Sequence, residues 1–211
     1  MKPAIRMAAL MRIPMKFIWS HDAFRVGEDG PTHEPVEQEA QIRLMEKMKN
    51  HLGKDSVRVF RPADVEETTV CWKMAMENMD TPTAMICSRQ NVDNLPQGTD
   101  YSQAVKGAYI VAESDENPDV ILVASGSEVS TLVAGAKLLR EDGLKVRIVS
   151  CPSEGLFRRQ PKEYQEAVLP DGAKIFGLTA GLPVNLQGLV GANGKVFGLE
   201  SFGFSAPYKV V

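Results

Sequence analysis

Apolar and polar positions along this chain fall into short blocks that alternate between helical and strand periods. Residues 4–12 form a short helical run, and Lys16–His21 reads as a buried strand ending on a histidine. A polar stretch follows. Thr32 is then placed to cap a helix with Pro35 in its first turn, running from about Glu34 to about Asn50 and ending near Gly53. Ser56–Phe60 is the next strand. Asp64 caps the following helix, with Glu67 in the capping-box position. Trp72, Ala75, Met76 and Met79 fall at i, i+3, i+4 and i+7, which predicts a core-facing stripe. Thr83–Ser88 is a third strand and delivers Arg89 at its end.

Three strands alternating with two helices predict parallel βαβ units. Residues 91–107 are polar and turn-rich, and Tyr109–Val111 leads into a second unit. Val120–Ala124 is a continuous apolar strand, followed by Ser125-Gly126-Ser127-Glu128 and a helix whose buried face is Val129, Leu132, Val133, Ala136 and Leu139. Val146–Ser150 is a strand, 154–169 a helical segment, and 173–178 and 195–199 further strands. The pattern gives an α/β protein of two three-layer units, the second with a mixed sheet. The expected division is 1–92, a linker over 93–117, and 118–211.

Chemistry concentrates in Ser20–Gln38, which holds two of the three histidines, His21 and His33. Between them lie Asp22, Glu28, Asp29, Arg25, Gly27 and Gly30. Such a stretch buries little apolar surface and is shaped by turns and hydrogen bonds. Ligands of parallel sheets bind beyond the carboxyl ends of the strands, where His21 and Arg89 are both expected. A guanidinium forks onto phosphate and an imidazole adds a donor, so the pair suits an anion. Singly, each residue has a plainer role: His21 bonded to a carbonyl, Arg89 in a surface ion pair. His33, at the expected helix start, is disfavoured as imidazolium by the helix dipole and suits proton exchange, or simply caps the turn. Asp29 accepts from a polyhydroxylated substrate or braces the Gly30-Pro31 turn. The loop therefore suits a phosphorylated polar small molecule. His33 and Glu37 share a helical face but lack a third ligand for zinc. Ser125-Gly126-Ser127 suits an anion nest, though small residues are routine at strand-to-helix turns. His51 is expected to be solvated.

Composition narrows the setting. With 44% apolar and 24% charged residues over 211 positions and a net charge of −3, the chain has ordinary globular composition and no basic footprint for nucleic acid. No apolar run approaches the roughly 20 residues that span a bilayer. Cys71, Cys87 and Cys151 are three thiols set far apart in apolar surroundings, which fits buried free cysteines in a reducing, cytoplasmic setting.

Gly27–Gln38 closely resembles the signature of transketolases. The likeness continues through His21-Asp22, Phe60–Asp64, Ser88–Asn91, Ala124–Val129 and Phe202–Pro207, covering nearly the whole chain. The resemblance implies part of a pyrimidine-binding domain, with an incomplete parallel sheet, and most of a C-terminal domain. It implies transfer of a two-carbon ketol unit between sugar phosphates in the pentose phosphate pathway, with thiamine diphosphate and a divalent metal (Mg or Ca). It also implies a homodimer, or a missing N-terminal portion, as partner. By position, His21 and Arg89 correspond to phosphate ligands, and Asp29 to the reader of a donor hydroxyl. His33 corresponds to the residue that contacts the ketol hydroxyls and assists proton transfer. The family's diphosphate- and metal-binding domain is not represented, so the expected cofactor residues lie outside this chain. Met1 is expected to start mid-domain and the family's final helix to be missing after Val211. Ala23–Val26 is unusual for the family, and Leu44–Ser56 carries extra residues. The chain alone is expected not to turn over; a non-catalytic dimerisation or regulatory module is the competing expectation.

Overall fold

The computed structural model describes residues 2–22 and 29–207. Helix α1 (Lys2–Met11) buries Ile5, Ala8 and Ala9, one face of a helical repeat. Strands β1 (Lys16–Trp19), β2 (Arg58–Phe60) and β3 (Thr83–Ile86) form a parallel sheet in the order β1-β3-β2. Successive residues face opposite sides. Val59, Ala84 and Ile86 pack with Ile5, Ala9 and Ile42 on one face. Phe60 and Met85 pack with Cys71 and Ala75 of α3 (Val65–Glu77) on the other. Helix α2 (Gln38–Glu46) supplies Ile42.

The second unit repeats this logic. Its sheet runs β4 (Tyr109–Ile110), β6 (Val146–Ser150), β5 (Val120–Ala124), β7 (Ile175–Leu178), β8 (Lys195–Phe197), with β4 alone antiparallel. Leu122, Ala124 and Ile148 meet Val129, Leu132 and Ala136 of α4 (Glu128–Glu141). Ile121, Val123 and Val149 face α5 (Glu154–Phe157), α6 (Lys162–Val168) and α7 (Val184–Val190). The α/β architecture, with a three-stranded parallel sheet and a mixed sheet, is the expected one. The connecting segment carries a 3₁₀ helix (Tyr101–Lys106) and is anchored: Leu95 N–H and the Tyr101 hydroxyl both donate to Asp64 Oδ2, at 2.9 and 2.5 Å.

Four local expectations are corrected. β1 ends at Trp19 and β3 at Ile86, so His21 and Arg89 lie in the loops just beyond their strands. α2 spans Gln38–Glu46 instead of starting near Glu34. Pro35 disfavours helical backbone at Glu34, and the Val36 N–H is taken by Gln38 Oε1 at 2.9 Å. Thr32 Oγ1 bonds His33 Nδ1 at 3.0 Å and caps nothing. The segment 154–169 divides into α5 and α6 at Pro161, whose missing N–H cannot continue a helix. On α3, Trp72 and Met76 are 42% and 55% exposed, Met79 just past its end is 68% exposed, and the buried line is Glu67, Cys71, Ala75. A buried acid turned the helix by one residue.

That acid, Glu67, lies between the units. Its Oε1 accepts from Tyr109 Oη and Ser150 Oγ, both at 2.7 Å, and its Oε2 from Ala63 N–H at 2.6 Å. Burial, only partly offset by these donors, pushes its pKa up to about 7. A carboxyl raised on folding stabilises fully below its unfolded pKa, and this contribution is lost as pH rises through 7. Urea titrations should therefore show stability falling by about 1 kcal/mol more between pH 6 and pH 8 in the native sequence than in Glu67→Gln.

Arg61 joins the same two units without any exposure. Its Nη2 donates to Asp22 Oδ2 at 2.9 Å, its Nη1 to the Ser125 carbonyl at 2.7 Å and to Glu128, and its Nε lies 3.7 Å from Glu39 Oε2. Gly126, at φ +66°, is required here, because a Cβ would sit 2.7 Å from the guanidinium. The Ser125–Ser127 turn thus holds Arg61, the structural role of the two weighed from sequence. Truncation leaves buried Asp22 and Glu128 without their cation and removes one of the two that serve Glu39, so Arg61→Ala should lower stability by about 3–5 kcal/mol in chemical denaturation.

Candidate functional site

A cavity of about 320 Å³ opens beyond the carboxyl ends of β1 and β3. Trp19, Ile42, Ile86, Pro35 and Val36 give it apolar walls. His21 and His33 line it, as do Asp22, Glu34 and Glu39. Gly181 reaches it from the second unit because Leu182 N–H donates to the Val36 carbonyl at 3.1 Å. Asn185 of α7 holds Glu39 Oε2 at 3.2 Å. The site is therefore shared by the two units.

Each histidine is oriented by the hydroxyl preceding it: Ser20 Oγ lies 3.1 Å from His21 Nδ1, and Thr32 Oγ1 3.0 Å from His33 Nδ1. Nε2 is left as the nitrogen outside these bonds. His21 is half-buried and His33 exposed. His33 is not at a helix start, since α2 begins at Gln38, so the dipole argument made for it fails. Asp29 is exposed and outside the lining, but its charge reaches Glu34. Arg89 is exposed, three residues past β3, and also outside the lining. Of the four residues singled out from sequence, the cavity brings together His21 and His33.

Three carboxylates of the cavity escaped the sequence reading. Asp22 Oδ2 accepts from Arg61 Nη2 and, at 2.7 Å, from Ser88 Oγ. Glu39 is buried, which raises a carboxyl pKa, yet Arg43 at 2.7 Å and Arg61 together hold it below the usual carboxylate range. Glu34 is only 3% exposed, and neither oxygen has a hydrogen-bond partner among the described residues. Burial first, and the Asp29 charge second, push its pKa up. Asp22 had a signal, its adjacency to a strand-end histidine. Glu34 and Glu39 had none, because burial of a charge on a polar loop or helix is invisible without its partners. Gly181 lies far away in sequence.

Apolar walls with carboxylates and two imidazoles suit an uncharged, hydroxyl-rich ligand that donates hydrogen bonds. They do not suit a metal–diphosphate pair. Among the described residues no three His, Cys, Asp or Glu side chains gather as metal ligands, and no Lys or Arg lines the cavity.

Fold and site together define a two-domain α/β protein with a cleft shared between its domains. Residues 1–94 match the transketolase pyrimidine-binding domain, and 107–211 the transketolase-like C-terminal domain. The chain is 42% identical over 207 residues to a probable transketolase of Streptococcus pneumoniae, covering 98% of this chain and 30% of that one. It superposes on transketolase from Pichia stipitis in complex with sedoheptulose-7-phosphate with a TM-score of 0.86 at 34% identity, over 100% of this chain and 29% of that one. A split-gene transketolase, an inactive beta4 tetramer, shares the fold at TM-score 0.66 and 18% identity, over 92% of this chain and 60% of that one. The chain belongs to the transketolase family and corresponds to a C-terminal-like portion, spanning about 30% of the curated relatives' length.

Gly181 gives the cavity a direct test. A Cβ there would lie 2.7 Å from the Val36 carbonyl and 2.9 Å from Asn185 Nδ2. Gly181→Ala should cost about 1–3 kcal/mol of stability, read from the urea midpoint. In the same variant the Leu182 amide proton, which donates to the Val36 carbonyl, should exchange faster with solvent.

Proposed function

We propose that this chain is a portion or subunit of a transketolase whose active site is completed by other polypeptide. The reaction is transfer of a two-carbon ketol unit from a ketose phosphate to an aldose phosphate, as a cytoplasmic step of the pentose phosphate pathway. The observation that carries this reading is the two transketolase domain matches, at 1–94 and 107–211, meeting at a cavity that holds His21 and His33. The proposed domains are 1–92 and 118–211, joined by 93–117. A homodimer, or a chain carrying the missing N-terminal portion, is the proposed partner.

This chain's residues do the substrate side of the work. His21 and Arg89 bind substrate phosphate, Asp29 reads a donor hydroxyl, and His33 contacts the ketol hydroxyls and moves a proton at them. The polar cavity agrees with a hydroxylated ligand, and Trp19, Ile42 and Ile86 exclude water from one side of it. Thiamine diphosphate and its divalent metal supply the carbon-bond chemistry in the intact enzyme. No described side chains gather as ligands for them, which supports the reading that the 211-residue chain by itself binds no cofactor and does not turn over.

The test is ketol transfer by the native gene product, isolated from its own cell extract with whatever polypeptide accompanies it. Thiamine-dependent transfer is expected, with kcat reduced about 100-fold or more in His33→Ala. Arg89→Ala should raise KM for the sugar phosphate about tenfold with a smaller change in kcat. A native 23.1 kDa product that shows no transfer with added thiamine diphosphate even together with every polypeptide that co-purifies with it overturns the reading in favour of a non-catalytic module.

A further inference from the structure

A second concavity, about 610 Å³, lies away from the shared cleft, between α1, the end of α2 and the 48–56 loop. Its floor is Pro3, Ala9, Leu10, Met45 and Met48. Arg6, Lys49 and His51 line it as well, and it has no acidic lining residue, although the chain as a whole is acidic at −3. Arg6 and His51 are exposed and take part in no ion pair among the described residues. Lys49 is held by Asp55 at 3.4 Å, with its side chain 58% exposed.

The loop is built, not slack. Asn50 Oδ1 accepts from Leu52 and Lys54 N–H at 2.9 and 3.1 Å, and Ser56 N–H donates to the Met48 carbonyl at 3.0 Å. Lys49 and Asp55 form an isolated antiparallel bridge. The shared cleft uses none of Met45 through Ser56. Leu10 and Met48 are each 50% exposed, an apolar cost that α1 and this loop carry without packing in return.

The geometry points to a binding site for an aliphatic monocarboxylate, its chain on the Ala9–Leu10–Met45–Met48 floor and its carboxylate at Arg6, Lys49 and His51. The charge asymmetry selects the sign of the head group. A guanidinium with no ion-pair partner among the described residues supplies two donors in a fork that fits a carboxylate. The thioethers of Met45 and Met48 adapt to a flexible alkyl chain. This site is independent of the transketolase reading and survives its failure.

The probe is decanoate, titrated below its micelle concentration into the 211-residue chain and followed by calorimetry and by amide NMR. Saturable one-site binding is expected, with shifts confined to α1 and residues 45–56. Arg6→Glu, at an exposed position, should weaken it about tenfold or more, and Met48→Glu likewise. Decyltrimethylammonium, with the same tail and opposite charge, should bind at least tenfold more weakly than decanoate. Equal binding of the two probes, unchanged decanoate affinity in Arg6→Glu, shifts mapping to the exposed face of α3, or no saturable binding overturns the proposal.

Discussion

One guanidinium holds the two halves of this protein in register. Arg61 leaves the end of β2 and is met by Asp22 from the loop after β1, Glu39 from α2, and Glu128 with the Ser125 carbonyl from the start of α4. An uncompensated charge at zero exposure is too costly to persist, so these groups must converge for the chain to fold. A lysine cannot reproduce the arrangement, because the fork of Arg61 serves several acceptors in fixed directions. Arg43 repeats the device nearby, reaching Glu39 at 2.7 Å and Glu46 at 3.9 Å.

The cavity inherits its character from that constraint. Asp22 follows His21 directly, so anchoring Asp22 on Arg61 places the histidine at the sheet edge. Glu39 is shared between Arg61 and the wall of the cavity. The side of the site facing Arg61 is therefore carboxylate-lined. An anion site was the natural reading of His21 with Arg89, but the enclosed part of the cleft favours hydroxyl donors.

Helices and strands were legible where a single face met a single core. Ile5, Ala8 and Ala9 on α1, and Val129, Leu132 and Ala136 on α4, are buried as their spacing required. The reading failed where polar groups decided orientation. Trp72, Met76 and Met79 carried more apolar surface than Glu67, yet Glu67 is inside because Tyr109 and Ser150, both from the second unit, satisfy it. The start of α2 was misplaced because Gln38 competes for the Val36 N–H, a bond that no helical pattern announces. Of the candidate site, His21 and His33 were found from strand ends and loop composition. Glu34, Glu39 and Gly181 were not.

The sequence by itself determined the family, the α/β class, the parallel and mixed sheets, and the loop that bears the histidines. These follow from periodicity, turn chemistry and a long motif, all of which are local along the chain. The tertiary structure alone decided which charges are buried, which face of α3 is inside, and what lines the cleft. Each of those depends on a partner far away in the chain: 39 residues from Asp22 to Arg61, 67 from Arg61 to Glu128, and 146 from Glu39 to Asn185. The free energy of a buried polar group is set by that partner, and sequence spacing carries no record of it.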